Sequence, residues 1–136
     1  MSQKTILYIE DDEDDREMFI KALKHTGKNY NLLIAKDGEE GIQILKDSEV
    51  PFFLIICDAS MPKLNGVEVL KAIENDPAVK VKKIPYILIT GQKNPKIVEE
   101  AFALSTQGFF KKAQGFDDEV LLLTTIIDYW EKGYII

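Results

Sequence analysis

Phe52-Phe53-Leu54-Ile55-Ile56-Cys57, followed at once by Asp58, is the stretch that decides the fold. An unbroken apolar run of this length reads as a strand buried on both faces, as in a parallel sheet covered by helices. Outward from it, β-branched and aromatic runs recur at Thr5–Ile9, Asn31–Ala35, Tyr86–Ile89 and Gly108–Phe110. The segments between them have helical spacing. Asp14–Thr26 puts Met18, Phe19, Ala22 and Leu23 on one face before Gly27 stops it. Asp37-Gly38 turns into a helix presenting Ile42 and Leu45. Asn65–Glu74 presents Val67, Leu70 and Ile73 and stops before Pro77. Pro95–Leu104 begins with a proline where its missing N–H is harmless, and Phe116–Trp130 is the longest helix. Strands alternating with helices predict an α/β chain: a doubly wound parallel sheet of five strands with five helices on its two faces.

Composition narrows the function. The 136 residues fit a single domain, 1–136, with no linker, repeat or compositional break. Twenty-three acidic against 17 basic residues give a net charge of −6, which argues against a nucleic-acid partner held by overall positive charge. No apolar run approaches the ~18 residues needed to span a bilayer. Met1-Ser2-Gln3-Lys4 leads straight into a strand without a leader pattern, so the chain reads as soluble and cytoplasmic, with no membrane partner. The single Cys57 permits neither an internal disulfide nor a cysteine-based zinc site, and reads as a small buried hydrophobe.

In a parallel sheet, ligands bind outside the carboxyl ends of the strands. Strand one runs into Glu10-Asp11-Asp12, strand three into Asp58, strand four into Thr90 and strand five into Lys111-Lys112. The topology brings all four ends to one edge. Carboxylates gathered there repel one another unless a cation joins them. Oxygen ligands without cysteine or a suitable histidine favour a hard ion, Mg²⁺. Lysine and hydroxyl beside the metal suit an anion, and the whole set suits phosphoryl transfer to a side-chain carboxylate.

These residues also carry a resemblance. Ile6-Leu7-Tyr8-Ile9-Glu10-Asp11-Asp12, Cys57-Asp58-Ala59-Ser60-Met61-Pro62-Lys63-Leu64-Asn65-Gly66, Ile89-Thr90-Gly91 and Gly108-Phe109-Phe110-Lys111-Lys112, in that order, resemble the receiver domain of two-component response regulators. The resemblance covers essentially the whole chain and implies a flavodoxin-like sheet of order 2-1-3-4-5. It implies Asp58 as phosphoacceptor, supplied by a histidine kinase or phosphotransfer protein. It implies Mg²⁺ held by Glu10, Asp11, Asp58 and the backbone carbonyl of Ser60. Thr90 matches the switch hydroxyl, Lys112 the phosphate-binding lysine and Phe109 the aromatic that turns inward on activation. Pro62 and Gly66 match the loop shaping the end of strand three. Two positions depart from the pattern: the acidic pair is Glu-Asp where Asp-Asp is commoner, and Ala113 follows Lys112 where the family usually has proline. A cis bond before alanine costs about 2.5–4 kcal/mol, so a trans Lys112–Ala113 bond is expected, with Lys112 reaching toward Asp58.

The function expected is therefore a stand-alone response regulator, not a turnover enzyme, acting on a downstream protein target by docking. Two other classes compete. A haloacid-dehalogenase-type phosphohydrolase needs a second acid two residues past its nucleophile, where this chain has Ser60. A pseudo-receiver would have lost the chemistry, against the intact Asp58, Asp11, Thr90 and Lys112. Glu13, Asp14 and Asp15 read as a solvated helix start. On the last helix, Phe116, Val120, Leu123, Ile127, Trp130 and Tyr134 form one apolar stripe and Leu122, Ile126 and Tyr129 a second. That width predicts a homodimer through this helix and the tail Gly133–Ile136.

Overall fold

The computed structural model describes residues 4–91, 95–104 and 106–133, apart from the side chains of Pro95, Val98 and Phe102. Its strands are β1 (Thr5–Ile9), β2 (Asn31–Ala35), β3 (Phe52–Asp58), β4 (Tyr86–Thr90) and β5 (Gly108–Lys111). They form one parallel sheet in the order β2-β1-β3-β4-β5. Around it run α1 (Glu13–His25), α2 (Gly38–Asp47), α3 (Gly66–Glu74), α4 (Pro77–Lys80), α5 (Pro95–Ala103) and α6 (Phe116–Lys132).

The sixth helix corrects the expectation of five. Pro77, expected to lie beyond the end of the preceding helix, also opens the short α4: its ring presets the helical φ, and Asp76 caps the turn through the Ala78 amide at 3.0 Å. α1, α3, α5 and α6 begin and end within two residues of their expected bounds, and α2 starts at the expected Asp37-Gly38 turn.

Strand alternation divides the core into two layers. Leu7, Ile9, Ile55, Cys57 and Leu88 face α2–α5 and meet Leu45, Val67, Leu70, Val79 and Ala101. Ile6, Tyr8, Leu54, Ile56, Ile87 and Ile89 face α1 and α6 and meet Phe19, Leu23, Leu123, Ile126 and Ile127. Burial of both faces is what the unalternating β3 sequence required. Cys57 is fully buried, as expected. No helix among the described residues is long and apolar enough to cross a membrane.

Both stripes of α6 contribute to the core, and Tyr129 of the second, with Leu121 outside both, stays at the surface. Leu123, Ile126 and Ile127 enter the core, while Leu121 and Tyr129 stand 64% and 66% exposed. Tyr134 and the rest of the tail beyond Gly133 lie outside the described residues.

Candidate phosphoryl-acceptor site

Each side chain at the carboxyl edge is aimed by the element behind it. β1 delivers Glu10, which is 1% exposed, and β3 delivers Asp58 at 9%. Oxygens of Glu10, Asp11 and Asp58 lie within 4.8 Å of one another. The Ser60 amide donates to Asp58 Oδ1 at 3.1 Å, fixing one carboxylate oxygen. The Tyr8 hydroxyl donates to Glu10 Oε1 at 3.3 Å, and the Asp12 amide meets Oε2 at 3.4 Å. From α1, Arg16 Nη1 donates to the Glu10 carbonyl at 3.0 Å, anchoring the strand end. Asp12 itself caps α1 through the Asp15 amide at 2.9 Å.

β4 and β5 bring the remaining groups. Thr90 is buried at the end of β4. Its carbonyl accepts from the Lys112 amide at 2.8 Å, which carries Lys112 one residue past β5 to the same edge. Of the two adjacent lysines, Lys111 is exposed and Lys112 turns into the pocket. No described peptide bond is cis, so Lys112–Ala113 is trans as expected. The ammonium of Lys112 pairs with Asp15 and stands 3.9 Å from Glu10 Oε1; Asp58 is not among its ion-pair partners here. Phe109 packs half-buried against the α2–α5 layer.

Two residues of the site escape a reading of the sequence. Asp15, expected in a solvated helix start, is half-buried against Lys112. Glu119, in the first turn of α6, is buried and lines a narrow recess of about 10 Å³ with Tyr8, Glu10, Asp58, Ile89 and Lys112. Outside that recess, a mouth of about 420 Å³ is lined by Asp11, Asp12, Asp15, Asp58, Ser60, Gly91 and Lys112.

Electrostatics follow from crowding. Burial pushes the Glu10 carboxyl up to about 9, aided by its hydrogen bond and charge repulsion with Asp58, against the pull of Lys112 and the Asp12 amide. Burial also raises Asp58, against its bonds to Glu10 and the Ser60 amide. Burial likewise raises Glu119, as does the nearby Asp15. Burial pulls Lys112 down, but its bond to Asp15 and the charges of Glu10, Asp15 and Asp58 outweigh it and leave it raised. Three carboxyl groups within one small volume, with oxygen donors only, fit a hard divalent cation: binding one would relieve their crowding and displace the proton that the raised Glu10 carboxyl holds.

The sequence from Ile6 to Thr124 matches the family model of the response regulator receiver domain. The chain belongs to this family. Receiver domains are the receiving modules of two-component signalling; they bind a divalent metal and interact with histidine kinases and downstream targets. A probable chemotaxis protein CheY from Rhizobium etli is 31% identical over 107 residues, 79% of each chain. The response regulator Rcp1 of Synechocystis is 28% identical over 133 residues, 93% of this chain and 88% of that one. The Mn²⁺-bound structure of Rcp1 superposes with a TM-score of 0.80 at 26% identity, covering 98% of this chain and 99% of its own. A probable cyclic di-GMP phosphodiesterase of Vibrio cholerae is 30% identical over 112 residues, 82% of this chain, which spans only 24% of that longer protein. The receiver fold here is flavodoxin-like, with the sheet order expected.

Proposed function

We propose that Asp58 is the phosphoacceptor of a response regulator whose single receiver domain spans residues 1–136, working in the cytoplasm. The observation that carries this reading is the meeting of Asp58 with Glu10 and Asp11 inside 4.8 Å, with Lys112 at their edge. One Asp58 oxygen is held by the Ser60 amide, so the other is oriented for attack. It bonds to phosphorus as the P–N bond of a phosphohistidine breaks, and the electron pair stays on the imidazole nitrogen. The donor is a histidine kinase or phosphotransfer protein.

Glu10, Asp11, Asp58 and the Ser60 backbone carbonyl would hold Mg²⁺, which supplies neutralising charge for the transferring oxygens. Without a cation, the negative charge of Asp11 and Asp58 repels an incoming phosphate. Lys112 and the Thr90 hydroxyl bind the phosphoryl oxygens once they arrive, and Phe109, on the strand that leads to Lys112, transmits the change to the surface. The chain promotes only its own phosphorylation and hydrolysis, and signals to a protein target by docking. The exposed Leu121 and Tyr129 of α6 suit the homodimer contact expected of that helix.

Beryllofluoride with Mg²⁺, followed by amide NMR, tests the reading. Wild-type protein should bind one equivalent and shift Thr90 and Phe109, and Asp58→Asn should not respond. A silent wild type would make this a pseudo-receiver.

A further inference from the structure

Lys112 does not wait free for a phosphoryl group. Its ammonium is paired with Asp15 of α1, a residue outside the Glu10–Asp11–Asp58 metal set. Both ends of the pair are anchored through the backbone. The Asp15 amide donates to the Asp12 cap at 2.9 Å, and the Lys112 amide donates to the Thr90 carbonyl at 2.8 Å. The two side chains are 24% and 31% exposed, so the pair is partly shielded from water and salt. Asp15 stands on the solvent side, lining the mouth, whereas Glu10 and the buried Glu119 approach Lys112 from within. The pocket's lysine thus stands among carboxylates from β1, α1 and α6, and it is held by the outermost of them.

We infer that Asp15 is a positioning residue that holds Lys112 at the mouth of the resting site and opposes capture of a phosphoryl-like anion at Asp58. For the ammonium to serve that anion, its bond to Asp15 must lengthen or break, so part of the binding energy is spent on release. The inference rests on the reading of Asp58 as acceptor. It makes Asp15 a setting for phosphorylation, separate from the metal ligands.

The test is beryllofluoride affinity at saturating Mg²⁺, by calorimetry, in a double-mutant cycle. Asp15→Asn should tighten binding about threefold, the scale of a partly exposed ion pair. In a Lys112→Ala background the same change should have no effect, because its action passes through the lysine. The Lys112 ¹³Cε resonance should move on Asp15→Asn in the anion-free protein, and Asp15→Glu should restore it. Unchanged or weaker binding by Asp15→Asn, or a gain that persists without Lys112, would overturn the inference and leave the acceptor reading standing. Wild-type protein that takes up no beryllofluoride would overturn both.

Discussion

Gly66→Ala should loosen the fold and the acidic site together. Gly66 is the first residue of α3, and a Cβ there would lie 2.5 Å from Leu88 Cδ2, 2.7 Å from the Asp58 carbonyl oxygen and 3.0 Å from the Ala59 Cα. The Leu88 methyl is the end of a side chain, but it is fully buried and has nowhere to retreat. The other two atoms belong to the backbone that carries Asp58. Nor can Gly66 move away: its amide donates to the Ala59 carbonyl at 3.0 Å, and its carbonyl accepts from the Tyr86 hydroxyl at 2.7 Å. Overpacking of this kind costs about 1–3 kcal/mol. The better helix propensity of alanine returns up to about 1 kcal/mol, leaving a net loss of roughly 1–2 kcal/mol. For a domain of this size that lowers Tm by roughly 3–8 °C. Urea unfolding gives the stability, and a Mg²⁺ titration by calorimetry gives the site, which should weaken as the end of β3 is displaced. Gly133→Ala, whose new methyl would meet nothing closer than 3.4 Å, should change neither. A Gly66→Ala protein with wild-type stability and metal affinity would refute the reasoning.

Two further outcomes are expected from the geometry. Glu10 has a folded-state pKa raised from the ordinary carboxylate value to about 9, so its contribution to stability is full below the unfolded pKa and is lost as pH rises through the folded one. Metal-free wild type should therefore lose stability between about pH 5 and 9 relative to Glu10→Gln, and Mg²⁺ should restore it with proton release; urea midpoints that run parallel in the two proteins would contradict this. Phe19→Ala should cost about 3–5 kcal/mol, because this fully buried ring stacks on Tyr8 at 3.7 Å and fills the α1 layer; a midpoint shift worth less than ~1 kcal/mol would show that the site had collapsed around the gap.

The sheet was legible because its signal is local and redundant. Phe52–Cys57, short and unbroken, reads as a two-faced buried strand, and the chain's alternation of strand and helix then left few topologies. The acidic edge was legible for the same reason: Glu10, Asp11, Asp58, Thr90 and Lys112 all lie at or just past strand ends. Asp15 and Glu119 were not, because each is a charged residue in the first turn of a helix, where the helix dipole alone accounts for acids. Only the packing of α1 and α6 beside the sheet reveals that these two face Lys112. The short α4 was hidden by Pro77, whose meaning as a stop or a start depends on whether Asp76 caps the turn after it. The double stripe on α6 gave the amount of apolar surface but could not say which part the sheet would take.

Locating the phosphoryl group tests the central claim most directly. The protein is incubated with Mg²⁺ and a small-molecule phosphodonor, reduced with borohydride to convert any aspartyl phosphate to homoserine, digested and read by tandem mass spectrometry. Homoserine should appear at position 58 alone, dependent on Mg²⁺ and absent from Asp58→Asn. Homoserine at Asp11 or Asp12, or labelling that survives in Asp58→Asn, would contradict the assignment.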